Sequence, residues 1–343
     1  MKLTLFIGAE HGPSESMTQR LNEHVEQVRL ARQLGFDGVT IGNHLSYGST
    51  AWFPPFETLM RLAADAEGMA LGTCMLVLPL YEPLHVAEQV ALLDAACDGR
   101  AILGVAPGWT KDEFAVMDLD HGRRISRYKE AVEVIRRLYA EDRVTFAGRH
   151  FNLDSVGLAL KPTRQPRPPM WFGGSVDNAV KRAASLAEPE YGDSWVASSH
   201  LRREVIVNQS QIFKDTLAKL GKPVPADFPV LRNIVVAPDR DTALREVGPA
   251  IAASYNVFGK WGLFTDIVKE KEVQAKFDEL IRDRFIIGSP EECAEELTGI
   301  MQDTGCNRLI TRIQWLSMEH RHVMRTIELL GDRVAPMIRK AMT

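Results

Sequence analysis

Residues able to do chemistry stand at a few places along the 343-residue chain, each where an apolar run gives out. His44 follows the run Gly38 to Gly42 after a single residue, Asn43. Imidazole titrates near neutrality, so a histidine there suits proton transfer; one merely hydrogen-bonded at a strand end fits the same pattern. Gly173-Gly174-Ser175 separates another apolar run from a helical stretch. Two glycines let a backbone approach a ligand closely, and amides at a helix start can cradle a phosphate. A tight turn with a serine cap uses the same residues. His320 and His322 form an H-x-H pair, but after the last run. No histidine and carboxylate set gathers at several run ends, so no metal site is expected. No lysine stands out at those ends, which disfavours a Schiff base. There is neither G-x-G-x-x-G nor a Walker loop, so no nicotinamide held in the Rossmann manner is expected.

The elements that must position these groups alternate between strand and helix. Leu71 to Leu78 is too apolar to have one face in water and reads as a strand buried on both faces. Val86, Val90, Leu93 and Cys97 then recur at helical spacing, Gly99 ends the helix, and Ala101 to Ala106 is the next strand. That is a βαβ unit. Further strands are expected at Leu3 to Gly8, Gly38 to Gly42, Met170 to Gly174, Asp193 to Ala197, Leu231 to Ala237 and Asn307 to Ile313. Eight strands alternating with helices through right-handed crossovers predict one (β/α)8 TIM barrel spanning residues 1–343. An open doubly wound sheet is the alternative. Val144 to Leu153 reads as a hairpin added to the barrel. Between strands seven and eight, an insertion with Tyr255, Phe258, Trp261 and Phe264 is long enough to act as a lid.

In such barrels the active site lies at the C-terminal ends of the strands. Those ends bring in His11, His44, Gly108, Gly173 to Ser175, Trp195, Arg232 and Arg312. Of six tryptophans, Trp52, Trp109, Trp195, Trp261 and Trp315 fall in or just before the loops there, and only Trp171 within a strand. This predicts an aromatic cavity for a flat organic ligand, lined by His11, Trp52, Trp109, Trp195 and Trp315. Arg232 and Arg312 would pair there with an anionic substrate or form surface salt bridges.

Composition excludes other classes. Hydrophobic content of 45%, 25% charged residues and a net charge of -4 are ordinary for a globular protein. Without a basic stripe no nucleic-acid partner is expected. With neither a signal peptide nor about 18 consecutive apolar residues, the expectation is a cytoplasmic protein without membrane contact. Cys74, Cys97, Cys293 and Cys306 lack metal-type spacing and read as buried reduced thiols.

The succession ALGTCMLVLPL, EPLHVAEQVALLDAACDGRAILGVAPGW, KDEF, GRHFNL, PPMWFGGS and GSPEECAEEL…LITRIQW resembles the bacterial luciferase-like flavin monooxygenases over nearly the whole chain. The resemblance implies a (β/α)8 barrel with insertions that binds reduced FMN or a deazaflavin coenzyme. In the FMN branch a separate NAD(P)H:flavin reductase supplies the reduced flavin, O2 is the co-substrate, and a small organic molecule is oxygenated. His44 matches the family's acid/base histidine after strand two. Cys74-Met75 falls where many members carry a non-proline cis peptide against the flavin. Gly173, Gly174 and Ser175 match a phosphate-binding turn, with Arg124 contributing, and Gly108 ends strand four beside it. His121 matches another flavin-contacting histidine. Deazaflavin members usually carry aspartate where Asn43 stands and often glutamate where Trp109 stands, which favours FMN. Relatives are mostly dimers or tetramers, so a homodimer or homotetramer is expected. The alternatives are a deazaflavin-dependent dehydrogenase or reductase and a non-catalytic flavin-binding barrel.

Overall fold

The computed structural model describes residues 1–46, 50–260 and 276–342. Nine parallel strands make one curled sheet: β1 (Lys2–Ile7), β2 (Gly38–Ile41), β3 (Ala70–Val77), β4 (Ala101–Ala106), β5 (Met170–Gly173), β6 (Ser194–Val196), β7 (Pro229–Val236), β8 (Phe285–Gly288) and β9 (Arg308–Arg312). Their order is β6-β5-β4-β3-β2-β1-β9-β7-β8, with β6 lying beside β7.

The expected count of eight strands is thus one short. The run read as the eighth strand is β9, and Phe285–Gly288 is an additional one. Eight-residue β7 serves both: β9 pairs with Pro229 to Asn233, and β8 with Asn233 to Val236 on the other edge. Four apolar residues carry too little period to be read as a strand.

Strand residues alternate between two cores, as the pleat requires. Leu5 and Ile7 face the large core between sheet and helices. Phe6 joins Cys74, Ile102, Trp171, Val196, Leu231 and Ile310 in a smaller cluster contributed by seven strands, inside the curl. Helices cover the outside, among them α1 (Met17–Gln33), α2 (Pro55–Leu62), α3 (Pro83–Ala96), α4 (Lys111–Val116), α5 (Arg124–Ala140), α6 (Asp177–Leu186), α7 (Arg203–Lys219) and α8 (Arg240–Lys260). Gly99, at φ +77°, turns the chain out of the α3 region into β4. Ser289 and Glu292 form a reciprocal capping box before the helix Pro290–Thr304.

Val144–Ala147 and Asn152–Val156 pair antiparallel outside the main sheet. The reading of Trp171 as the single strand tryptophan needs correction. Trp195 lies within β6, and Trp52 in the two-residue strand Ala51–Trp52 that pairs with Glu10–His11. Tyr255 and Phe258 are buried on α8. Trp261 and Phe264 of the expected lid lie outside the described residues. All four cysteines are free and buried. Among the described residues no helix is long and apolar enough to cross a membrane.

Candidate active site

A cavity of about 460 Å³ opens at the C-terminal ends of the strands, a size usual for ligand sites. Its wall brings together His44, Trp52, Cys74, Met75, Gly108 and Trp109, then Arg124, Gly173, Gly174, Ser175 and Arg312.

His44 leaves the end of β2, and its Nδ1 lies 3.1 Å from each carboxylate oxygen of Glu113. Burial opposes the charge on Glu113, but hydrogen bonds from His44, Thr110 and the Leu45 amide outweigh it and hold the carboxyl below the usual range. An ionised Glu113 can only accept, so His44 Nδ1–H is the donor and Nε2 the basic nitrogen. The Trp52 ring lies edge-on to His44 at 4.8 Å between centroids, and Trp109 at 6.4 Å.

Glu113 escaped the sequence reading. Thr110-Lys111-Asp112-Glu113 has the spacing of a capping box at the start of α4. In the structure Thr110 makes no capping bond; its hydroxyl donates to the Glu113 side chain, which turns toward His44 instead.

Between β5 and α6, the carbonyls of Gly174 and Ser175 are tied back. Trp195 Nε1 donates to Gly174 O at 3.0 Å and Gln209 Nε2 to Ser175 O at 3.0 Å. Neither the Ser175 nor the Val176 N–H has a backbone partner among the described residues. Arg124 and Arg182 line the same end of the cavity. Arg124 is held by the Gly108 carbonyl (3.2 Å) and the His121 carbonyl (3.0 Å). Burial, and secondarily the Arg124 charge, lower the Arg182 pKa from its ordinary value, so this pair gains from an anion. Unpaired amides at a helix start with two guanidinium groups fit a phosphomonoester such as that of FMN.

The wall between these ends is β3. The Cys74-Met75 peptide is cis, at a register shift of β3 against β4 between Thr73 and Leu76. Glycines make room for Met75: a Cβ on Gly173 would lie 2.9 Å from its Cγ, and one on Gly104 3.0 Å from its Sδ. Burial pushes the Cys74 thiol up to about 12, so it stays protonated and is no nucleophile. At the far end, Arg312 Nη2 donates to Glu10 Oε1 at 2.9 Å, and Ser254 Oγ donates to the same oxygen at 2.9 Å. His200 and Phe258 complete that end.

Other expected pocket residues stand elsewhere. Trp195 and Arg232 each adjoin an inward neighbour, Val196 and Leu231, and the pleat therefore turns them outward. Trp195 packs on Phe213 and Phe228. Arg232 donates to the carbonyls of Leu201 and Asp283. Trp315 is buried against Phe285. His11 is buried with His24 and Phe53 under α1. His121 is half-buried, its Nε2 donating to the Trp109 carbonyl at 3.1 Å outside the lining. Among the described residues neither Arg232 nor Arg312 forms the expected surface salt bridge: both are buried, and the ion pair of Arg312 with Glu10 is an interior one. Arg182, one helical turn into α6, and His200, beyond the end of β6, were not singled out; no motif marks either.

The chain aligns over 84% of its length with an F420-dependent glucose-6-phosphate dehydrogenase from Intrasporangium calvum, 29% identical and covering 87% of that protein. An FMNH2-dependent dimethylsulfone monooxygenase from Pseudomonas fluorescens is 24% identical over 91% of this chain and 86% of its own. The crystal structure of a monooxygenase from Streptomyces bottropensis superposes with a TM-score of 0.86 at 22% identity, covering 98% of this chain and 99% of the other. The family model described as luciferase-like monooxygenase matches residues 1–308, and the chain belongs to that family.

Proposed function

We propose that the protein is the oxygenase of a two-component system, using reduced FMN and O2 to oxygenate a small organic substrate. The carrying observation is the two-ended cavity. Its glycine turn with Arg124 and Arg182 lies at one end, His44, backed by Glu113 of α4, opens on it from the end of β2, and Cys74-Met75 forms the wall between. Reduced FMN, when bound, supplies the electrons that activate O2 for insertion of one oxygen atom, and a separate NAD(P)H:flavin reductase provides it. Ser175 and Val176 amides with the two arginines would hold its phosphate, and Met75 with Gly108 would flank its ring. Glu113 fixes the His44 tautomer, so Nε2 accepts and returns a proton at the reacting centre. Trp52, Trp109 and Phe258 exclude water from that centre.

The second reading, a deazaflavin-dependent dehydrogenase, draws support from the F420-dependent relative. Asn43 and Trp109 stand where such members usually or often carry acidic residues, which favours FMN. The deciding experiment supplies a flavin reductase, NADH and FMN and follows oxygen uptake and oxygenated products over a metabolite panel. Strict dependence on the deazaflavin with no oxygen uptake would overturn the monooxygenase reading. Failure of both reduced and oxidised FMN to bind in the micromolar range would overturn the FMN assignment.

A further inference from the structure

The end of the cavity away from the glycine turn carries a cation with unused donors. Arg312 lines it with 8% of its side chain exposed. Nη2 is engaged by Glu10, while among the described residues no acceptor pairs with Nε or Nη1. Neither nitrogen is sealed from the cavity without a partner, unlike Arg232 Nε behind it. The Arg312 guanidinium also lies 5.4 Å from the centre of the Phe258 ring, so a flat apolar surface adjoins the free donors.

Beside Arg312 stands His200, whose Nδ1 is 3.2 Å from the Tyr255 hydroxyl. Arg284 sits behind it, Nε donating to the His200 carbonyl at 2.8 Å. Burial, and then the charges of Arg312, Arg284, His44 and Arg232, hold His200 well below its ordinary pKa. Positive potential therefore prevails here despite Glu10, and a further cation at this end is disfavoured. A ligand with one negative group is the charge this end lacks.

We infer that the substrate is a flat organic carboxylate, its anionic group held by Arg312 beside His200 and its body against Phe258 and Trp52. This rests on the flavin reading, in which the cofactor's phosphate occupies Arg124 and Arg182 and leaves Arg312 to the substrate. A carboxylate accepts two parallel N–H bonds from one guanidinium, across Nε and Nη2 or across Nη1 and Nη2; Nη2 has two hydrogens and gives one to Glu10, so one such fork of Arg312 stays open. A neutral acceptor such as an amide carbonyl can take those N–H bonds but leaves the positive charge uncompensated, and a cationic group is repelled, so both are selected against.

The test compares benzoate with benzamide, the same shape without the charge, by isothermal titration of the FMN-loaded protein. Benzoate is expected to bind at least tenfold more tightly. Arg312→Gln should abolish that preference. Glu10→Gln, which keeps the acceptor for Ser254 and Arg312 but removes a negative charge, should tighten benzoate several-fold and leave benzamide unchanged. Equal binding of the two probes, or a benzoate preference that survives Arg312→Gln, would overturn the inference. Should Arg312→Gln not fold, the Glu10→Gln titration decides: unchanged or weaker benzoate binding overturns it. FMN titration in the absence of either probe is read separately. Loss there overturns the flavin reading, and titration of the free protein with the same two probes still decides the carboxylate site.

Discussion

His44 Nδ1 lies equidistant, at 3.1 Å, from both oxygens of the Glu113 carboxylate, across 69 residues of sequence. The same carboxylate accepts from the Leu45 amide at 2.8 Å, so one side chain fixes both the imidazole and the backbone that carries it. Glu113 is a positioning residue, acting through His44. Glu113→Gln keeps the shape and loses the charge-assisted bonds, worth about 1.5–3 kcal/mol. Turnover should fall about 10–100-fold, with FMN affinity little changed. A split between kcat and the substrate KM distinguishes positioning from mere stability: kcat should fall with KM and the urea midpoint little changed, because the imidazole stays in the cavity wall but loses the partner that fixes its tautomer. A lowered midpoint with kcat unchanged would leave Glu113 only a structural role.

His44→Ala removes the group itself. General acid/base catalysis contributes about 10²–10⁴-fold, and oxygenated product per reduced FMN oxidised measures the loss directly. Turnover near wild type would reduce His44 to a strand-end hydrogen-bonding residue.

Arg124 and Arg182 line the glycine-turn end together. Arg182→Ala removes one charge-assisted contact and should raise the FMN Kd about 10–100-fold. Riboflavin, which lacks the phosphate, should bind the variant as it binds the wild type. A comparable loss for riboflavin would show that Arg182 supports the cavity rather than the phosphate.

Much of the scaffold could be read from periodicity, because strands buried on both faces are unbroken apolar runs and the intervening stripes have helical spacing. What periodicity lacks is direction at strand ends. Trp195 and Arg232 lie on strands that reach the cavity, yet a one-residue offset puts Val196 and Leu231 inside in their place. Glu113 was hidden by a competing local pattern, since T-x-x-E at a helix start ordinarily marks a cap. His44 and the Gly173–Ser175 turn could be named as candidates because each ends a strand. Their pairing with Glu113 and Arg182 depends on contacts between separate elements, which spacing along the chain does not encode.

Burial lowers the pKa of His11 to about 4 and of His24 to about 3, with their rings 5.5 Å apart beneath α1. Both are neutral in the fold, whereas the unfolded chain protonates them below about 6.5. Between those limits the unfolded state binds more protons, so stability falls as pH falls, by about 1.4 kcal/mol per pH unit for each fully uptaken proton. The loss should begin below about pH 6.5 and flatten toward pH 3–4 for this pair. Urea midpoints measured between pH 7.5 and 5 should show it, and His24→Gln should flatten the slope. A midpoint independent of pH in that window would contradict the burial argument.

Gly104 and Gly173 both border Met75, but the obstacles to a side chain differ. A Cβ on Gly104 would fall well inside van der Waals contact of the Thr73 carbonyl, which belongs to the β3 backbone and cannot swing away. At Gly173 the nearest atom is Met75 Cγ at 2.9 Å, part of a flexible side chain. Gly104→Ala should therefore cost about 3 kcal/mol, the upper range for overpacking, or yield insoluble protein, while Gly173→Ala should cost about 1 kcal/mol. The smaller cost at Gly173 comes from displacing Met75, which lines the cavity. That variant should keep its urea midpoint close to wild type and still lose FMN affinity several-fold. Equal destabilisation by the two substitutions would show that Met75 is as immovable as the strand beneath it.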